Sequence, residues 1–439
     1  MKIMRLVLMF GIAALAVFGF SPVFAFHSGG VAECAGCHSM HAPESTTALL
    51  ARGDPSSTCL NCHEHAGDTG PSSYHISTAA VDMPDGIPPK QRTPGGDFGW
   101  VKKTYAYVLR GTPTTDFGYT HGHNIVATDF GYTADPINTT APGGTMVAAD
   151  LSCVSCHNPH SKTRRLNDGT LITPNRNQGQ TYEPIMGSGS YDTSPIPPLG
   201  LAVGVYRILG GSDYVPFDNQ AFPGVPAAVT PSTYNRTEAA TQTRTAYGHS
   251  GTVASYTSWG NWCATCHTNM HSNNGYVHPV DAALGTEHSD NYNAYLKTGD
   301  LRGTTTTSFL SLVPFAENTS TFATLASHAK NNDSQLGGPT GADRVMCLSC
   351  HRAHASAWEY SLRWNPENEF LTMSDSTGLA AYPGKDAVGT TVDGKALNTQ
   401  TQVSRGYTVA EMSAAYYDRA ATKFAPYQRQ LCNKCHIQD

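Results

Sequence analysis

The chain has 439 residues; 39% are apolar, 14% are charged, and 42 Gly and 27 Pro lie above the usual background. That balance argues against an ordinary core built from side chains, yet sparse charge and 9% aromatics also argue against intrinsic disorder. A formal charge of −6 weighs against a nucleic-acid-binding surface, which would be basic.

In chain order, Lys2 and Arg5 precede an uncharged apolar run from Leu6 to Phe20, and Val23-Phe24-Ala25 follows with small residues at a cleavage position. This is the pattern of a secretory signal, residues 1–25, with Phe26 as the mature N-terminus. Loss of Lys2 and Arg5 would take the charge from −6 to −8. The run is short for a spanning helix, which needs about 20 apolar residues, and no later segment is apolar enough. The expectation is an exported protein without a membrane span, with residues 26–439 as one domain.

All twelve cysteines then fall into six C-x-x-C-H motifs: Cys34, Cys37 and His38; Cys59, Cys62 and His63; Cys153, Cys156 and His157; Cys263, Cys266 and His267; Cys347, Cys350 and His351; Cys432, Cys435 and His436. Composition alone would give about 0.014 such motifs. Two thiols three residues apart can add to the two vinyl groups of a haem, and the next His lies under the iron as its proximal ligand. Six haem c groups are expected, filling the place of a side-chain core, and a chain without them should not fold. A disulfide scaffold would not require His after every second Cys, and zinc would need a fourth ligand that each fragment lacks.

Thirteen His remain for the second axial position, namely His27, His41, His65, His75, His121, His123, His160, His249, His271, His278, His288, His328 and His354. Bis-His ligation, closed to substrate, is the expectation. Three motifs carry a further His three residues on: His38 with His41, His157 with His160, and His351 with His354. On a helical turn, i and i+3 share a face, so the second His cannot reach round to its own iron. His41, His160 and His354 should therefore each serve a different haem. His75, His123 and His278, from the long segments between motifs, complete the expected distal set, with His27, His65, His271 and His328 in reserve.

Only 20 residues separate His38 from Cys59, so the first two haems should be close, whereas later gaps of roughly 80 to 105 residues should wrap the haems. Stretches such as Asp135 to Gly144 and Ser188 to Gly200 read as loops. The expected fold is mostly irregular coil with short α and 3-10 helices at the attachment motifs, very little β structure, and a core of stacked haems. Asp97-Phe98-Gly99 recurs at Asp116 and Asp129, but no kinase loop accompanies it, and aromatic turns packing on haem edges or loops are the better reading. Electron transfer without catalysis follows; a multihaem oxidoreductase would need an open iron, and a monomeric periplasmic or surface electron shuttle would share the same ligation.

Long segments also carry a family resemblance. They include Phe26 to Cys34, Cys37 to His41, His65 to Gly70, Tyr74 to Ile76, Pro94 to Tyr105, Gly122 to Ile125, Arg207 to Gly211, Pro231 to Glu238, Cys347 to Ser356 and Lys423 to His436. The chain resembles the OmcS-type hexahaem outer-surface c-type cytochromes, which polymerise into extracellular filaments in metal-reducing bacteria. The resemblance implies secretion to the outer surface and head-to-tail self-association. It implies that His41 ligates the neighbouring subunit's haem at Cys347 to His351. Redox partner cytochromes and extracellular acceptors such as metal oxides would be the other partners.

Overall fold

The computed structural model describes residues 34–41, 43–44, 48–67, 74–167, 169–172, 186–232, 244–249, 257–271, 280–308, 312–329, 337–387, 391–392, 395–396 and 401–436. The signal, His27 and His278 lie outside these residues, and the side chain of His271 is not described. Among the described residues no helix is long and apolar enough to cross a membrane.

The helices are short: α1 (Cys34–Cys37), α2 (Pro55–His63), α3 (Trp259–Ala264), α4 (Gly285–Ala294), α5 (Phe322–His328), α6 (Cys347–Cys350), α7 (Thr401–Ser404) and α8 (Val409–Ala415). Single 3-10 turns cover Cys153–Ser155 and Leu431–Lys434. Every attachment motif thus begins on a helical turn, and the cause is local. Asp54 caps α2 by accepting from Ser57 N at 2.7 Å, and Ser258 caps α3 by accepting from Asn261 N at 3.0 Å.

Among the described residues, sheet is confined to small patches. The longest strands, β1 (Tyr105–Leu109) and β2 (Thr112–Asp116), form a hairpin. Its turn puts Arg110 and Gly111 at φ 48° and 89°, the left-handed pair that matches strand twist. In a three-stranded patch, β4 (Ala246–Gly248) lies antiparallel to β3 (Ala228–Val229) and parallel to β5 (Ala316–Glu317).

Side chains do form apolar clusters, several separate ones rather than one core. The largest centres on Trp100, Tyr105, Trp358, Tyr407 and Tyr416. The attachment cysteines sit at the margins: Cys350 and Cys435 against this cluster, Cys156 and Cys263 against a second, and Cys153 against a third around Leu60 and Phe98. The composition-based expectation of a core without side chains therefore holds only in part: apolar clusters flank the second to sixth attachment points.

Candidate haem-attachment sites

The turn at each motif is closed in one way. His38 N donates to Cys34 O at 2.8 Å, His157 N to Cys153 O at 3.0 Å, His267 N to Cys263 O at 3.1 Å, His351 N to Cys347 O at 2.9 Å, and His436 N to Cys432 O at 3.0 Å. His63 ends helix α2. One helical turn places both thiols on one face with the His one step beyond. No disulfide joins any of the twelve cysteines.

Successive motifs adjoin one another in sequence order. Burial raises the Cys37 thiol, and the nearby Cys59 and Cys62 raise it further. The neighbouring Cys153 thiol, and then burial, raises the Cys59 thiol. Burial pushes Cys156 up to about 12, with Cys266 adding to it. The neighbouring Cys347 thiol, and then burial, raises the Cys263 thiol. Cys350 is pushed up to about 11 by burial and then by Cys432. The six turns therefore form a row from first to sixth.

The attachment histidines are oriented by backbone carbonyls. Nδ1 lies 2.9 Å from Ala48 O in His38, 3.1 Å from Tyr74 O in His63, 2.8 Å from Arg207 O in His157, 2.9 Å from Pro142 O in His267 and 2.7 Å from Tyr360 O in His351. A carbonyl only accepts, so Nδ1 carries the proton and Nε2 presents its lone pair. Metal-bound imidazoles are held by this same outer contact.

Four of the six attachment rings face a second imidazole. His38 stands 6.0 Å from His160 with planes 15° apart. His157 stands 6.4 Å from His354 at 61°, and His267 stands 6.0 Å from His123 at 48°. His436 stands 5.2 Å from His288 at 87°. Metal–imidazole bonds are about 2 Å long, so two rings on opposite sides of one ion have centres about 6 Å apart. The donor set and spacing thus fit a bis-imidazole iron.

The distal rings are positioned from far along the chain. Gly122 bridges Ala355, and His123 N donates to His354 O at 2.8 Å. His123 Nδ1 donates to Ala353 O at 2.6 Å, and His354 Nδ1 to Gly96 O at 3.2 Å. Phe98, from the first D-F-G repeat, stacks on His354 at 4.5 Å, while Asp97 accepts from Gly99 N at 2.7 Å and Thr78 N at 2.9 Å. Burial, then His267, pushes His123 down to about 4; burial, then His157, pushes His354 down to about 3. Both are neutral, the form that ligates.

The remaining expected ligands are placed differently. His160 and His354 each face the attachment histidine of a motif other than their own. His41 is exposed, and no imidazole faces His351 among the described residues. His75 stacks at 5.7 Å on His65, neither belonging to a motif. His328 Nδ1 is paired with Glu317 at 2.6 Å, and His121 is buried against Asp116 at 2.8 Å. His288 was absent from the expected distal set; it lies on α4, which packs on the sixth motif, with Asn291 Nδ2 donating to Cys435 O at 3.3 Å. Its neighbourhood offers no spacing signal in sequence.

A row of thioether-forming turns with paired neutral imidazoles defines a multihaem c-type cytochrome. No family model matches the chain. It is 50% identical to the C-type cytochrome OmcS of Geobacter sulfurreducens over 98% of both sequences. Among solved structures, it superposes on one described as an Outer Membrane Cytochrome S filament from that organism with a TM-score of 0.81, at 49% identity, covering 94% of this chain and all of that one. A cryo-EM structure of the OmcS nanowires gives 0.79 at 48% identity, with the same coverage. The chain belongs to the OmcS family of c-type cytochromes and carries covalently bound haem c as an electron carrier.

Proposed function

We propose that the mature chain, residues 26–439, holds six haem c groups and conducts electrons as one subunit of an extracellular head-to-tail filament that delivers them to external acceptors. The haems would be held through the twelve cysteines, with His38, His63, His157, His267, His351 and His436 as proximal ligands. Haem supplies the one-electron redox centre; the chain fixes ligand identity and the order of the centres.

One observation carries the polymer reading. Only the odd motifs have a His at +3, and these residues work two motifs back: His160, from the third, faces His38 of the first, and His354, from the fifth, faces His157 of the third. By the same rule the fifth motif needs a His from a seventh, which a second copy supplies as His41 of its first. A contact of this heterologous, non-closing kind gives an open helical polymer. Replacing His41 with Ala should leave short filaments or none in negative-stain images; normal filaments would refute the reading.

For the distal ligands we assign His160, His354 and His123 to the first, third and fourth irons, and His75 to the second. The sixth has two claimants, His288, which faces His436, and His278. In separate His288→Met and His278→Met proteins, the variant that alters the sixth haem's low-spin signal identifies the ligand. Carbon monoxide binding to the untreated reduced filament would instead favour an oxidoreductase with an open iron.

A further inference from the structure

The two residues between the cysteines are uncharged in five motifs: Ala35-Gly36, Leu60-Asn61, Val154-Ser155, Ala264-Thr265 and Leu348-Ser349. Two of these second positions have an evident local role. Ser155 Oγ accepts from Ser152 N at 3.0 Å, and Ser349 Oγ accepts from Met346 N at 3.1 Å, each capping its own turn. The sixth motif has Lys434 there, and it breaks the pattern.

Lys434 is completely buried. Its Nζ donates to Tyr295 O and to Ser308 O, both at 2.8 Å. The same nitrogen sits over the Tyr292 ring at 4.2 Å and the Tyr295 ring at 5.1 Å. Ring faces attract a cation, and carbonyl oxygens accept the ammonium protons. Among the described residues no carboxylate pairs with it. Burying an unpaired ammonium is costly, and packing at this turn does not ask for one, since small side chains serve at the other motifs. Lys434 stands between the two attachment cysteines in sequence; burial lowers its pKa to about 7, so below neutral pH its amine is charged where little water screens it.

We propose that Lys434 is a tuning residue that raises the reduction potential of the sixth haem by holding a positive charge inside that haem's own attachment turn. The inference rests on the reading above that Cys432, Cys435 and His436 bind a haem. Reduction adds one electron to the haem, and a nearby cation stabilises the added negative charge. The group acts through the field and not as an iron ligand, alongside the outer-shell and burial effects that set haem potentials. Arg207, Arg352 and Arg363 lie near the third and fifth motifs, so the claim concerns the sixth centre with and without its lysine, not its rank among the six.

The test is a spectroelectrochemical titration at pH 6 of full-length, haem-loaded protein, wild type against Lys434→Met, Lys434→Gln and Lys434→Arg. Peptide mass would count haem on Cys432 and Cys435. The expected result for Lys434→Met and Lys434→Gln is full haem loading with one of the one-electron components displaced. Its reduced-to-oxidised ratio at fixed potential should fall about tenfold, equivalent to about 59 mV. Lys434→Arg should restore the wild-type curve. Superposed curves with full loading would overturn the proposal, as would loss of the sixth haem in both neutral variants, which would make Lys434 a structural residue. Absence of haem from these cysteines in the wild type would instead defeat the underlying reading.

Discussion

At the scale of single residues, the chain places its polar interior groups where each has several partners. Glu411 is fully buried and takes Lys103 Nζ at 2.9 Å, Tyr105 Oη at 3.0 Å and Thr408 N at 2.9 Å. Removing one member of such a pair strands the other charge, which costs about 3–5 kcal/mol. Glu411→Ala should therefore lower the guanidinium midpoint of the haem-loaded protein by that equivalent. A second local case is Gly96, at φ 92°, where an added methyl group would run into the Ala355 carbonyl. Since Gly96 O holds His354, Gly96→Ala should convert part of the third haem to a high-spin form, visible in the resting ferric spectrum.

Elements show what could be read from residue order and what could not. The six turns were legible because attachment chemistry forces Cys, Cys and His onto one helical turn. That His160 and His354 face histidines of other motifs was legible because i and i+3 share a face. The pairings of His123 and His288 were not. His123 is held by the carbonyl of Ala353, 230 positions away, and nothing local announces such a partner. The aromatic clusters were hidden for the same reason, since Tyr105 stacks on Tyr407 at 3.7 Å across most of the chain. At α2, burial works against the Asp54 carboxylate, but hydrogen bonds from Ser57 and Thr128 outweigh it and hold its pKa below the usual carboxylate value. A depressed acid stabilises the fold when ionised, so this contribution is complete above about pH 5 and fades as pH falls through the folded value. Asp54→Ala should cost about 1 kcal/mol at pH 7 and less in acid, as thermal melts across pH would record.

For the whole molecule, the row of adjoining motifs matters more than any one of them. Coil, short turns and scattered clusters suffice where a histidine from a distant segment faces the attachment ring, as it does at the first, third, fourth and sixth motifs. Removing one long-range ligand should therefore disturb a single haem and leave the row intact. His123→Ala should alter the fourth haem's spectrum while the total haem count stays unchanged.

The two-motif step of the odd histidines also gives a polymer built this way two unlike ends. One terminal subunit displays an unused His41; the other displays the fifth centre without its sixth ligand. Growth then has a chemical polarity, and a small free base can act as a stopper at one end only. Millimolar imidazole added during assembly should shorten filaments in a dose-dependent way, without dissolving those already formed, and length distributions from micrographs would record it.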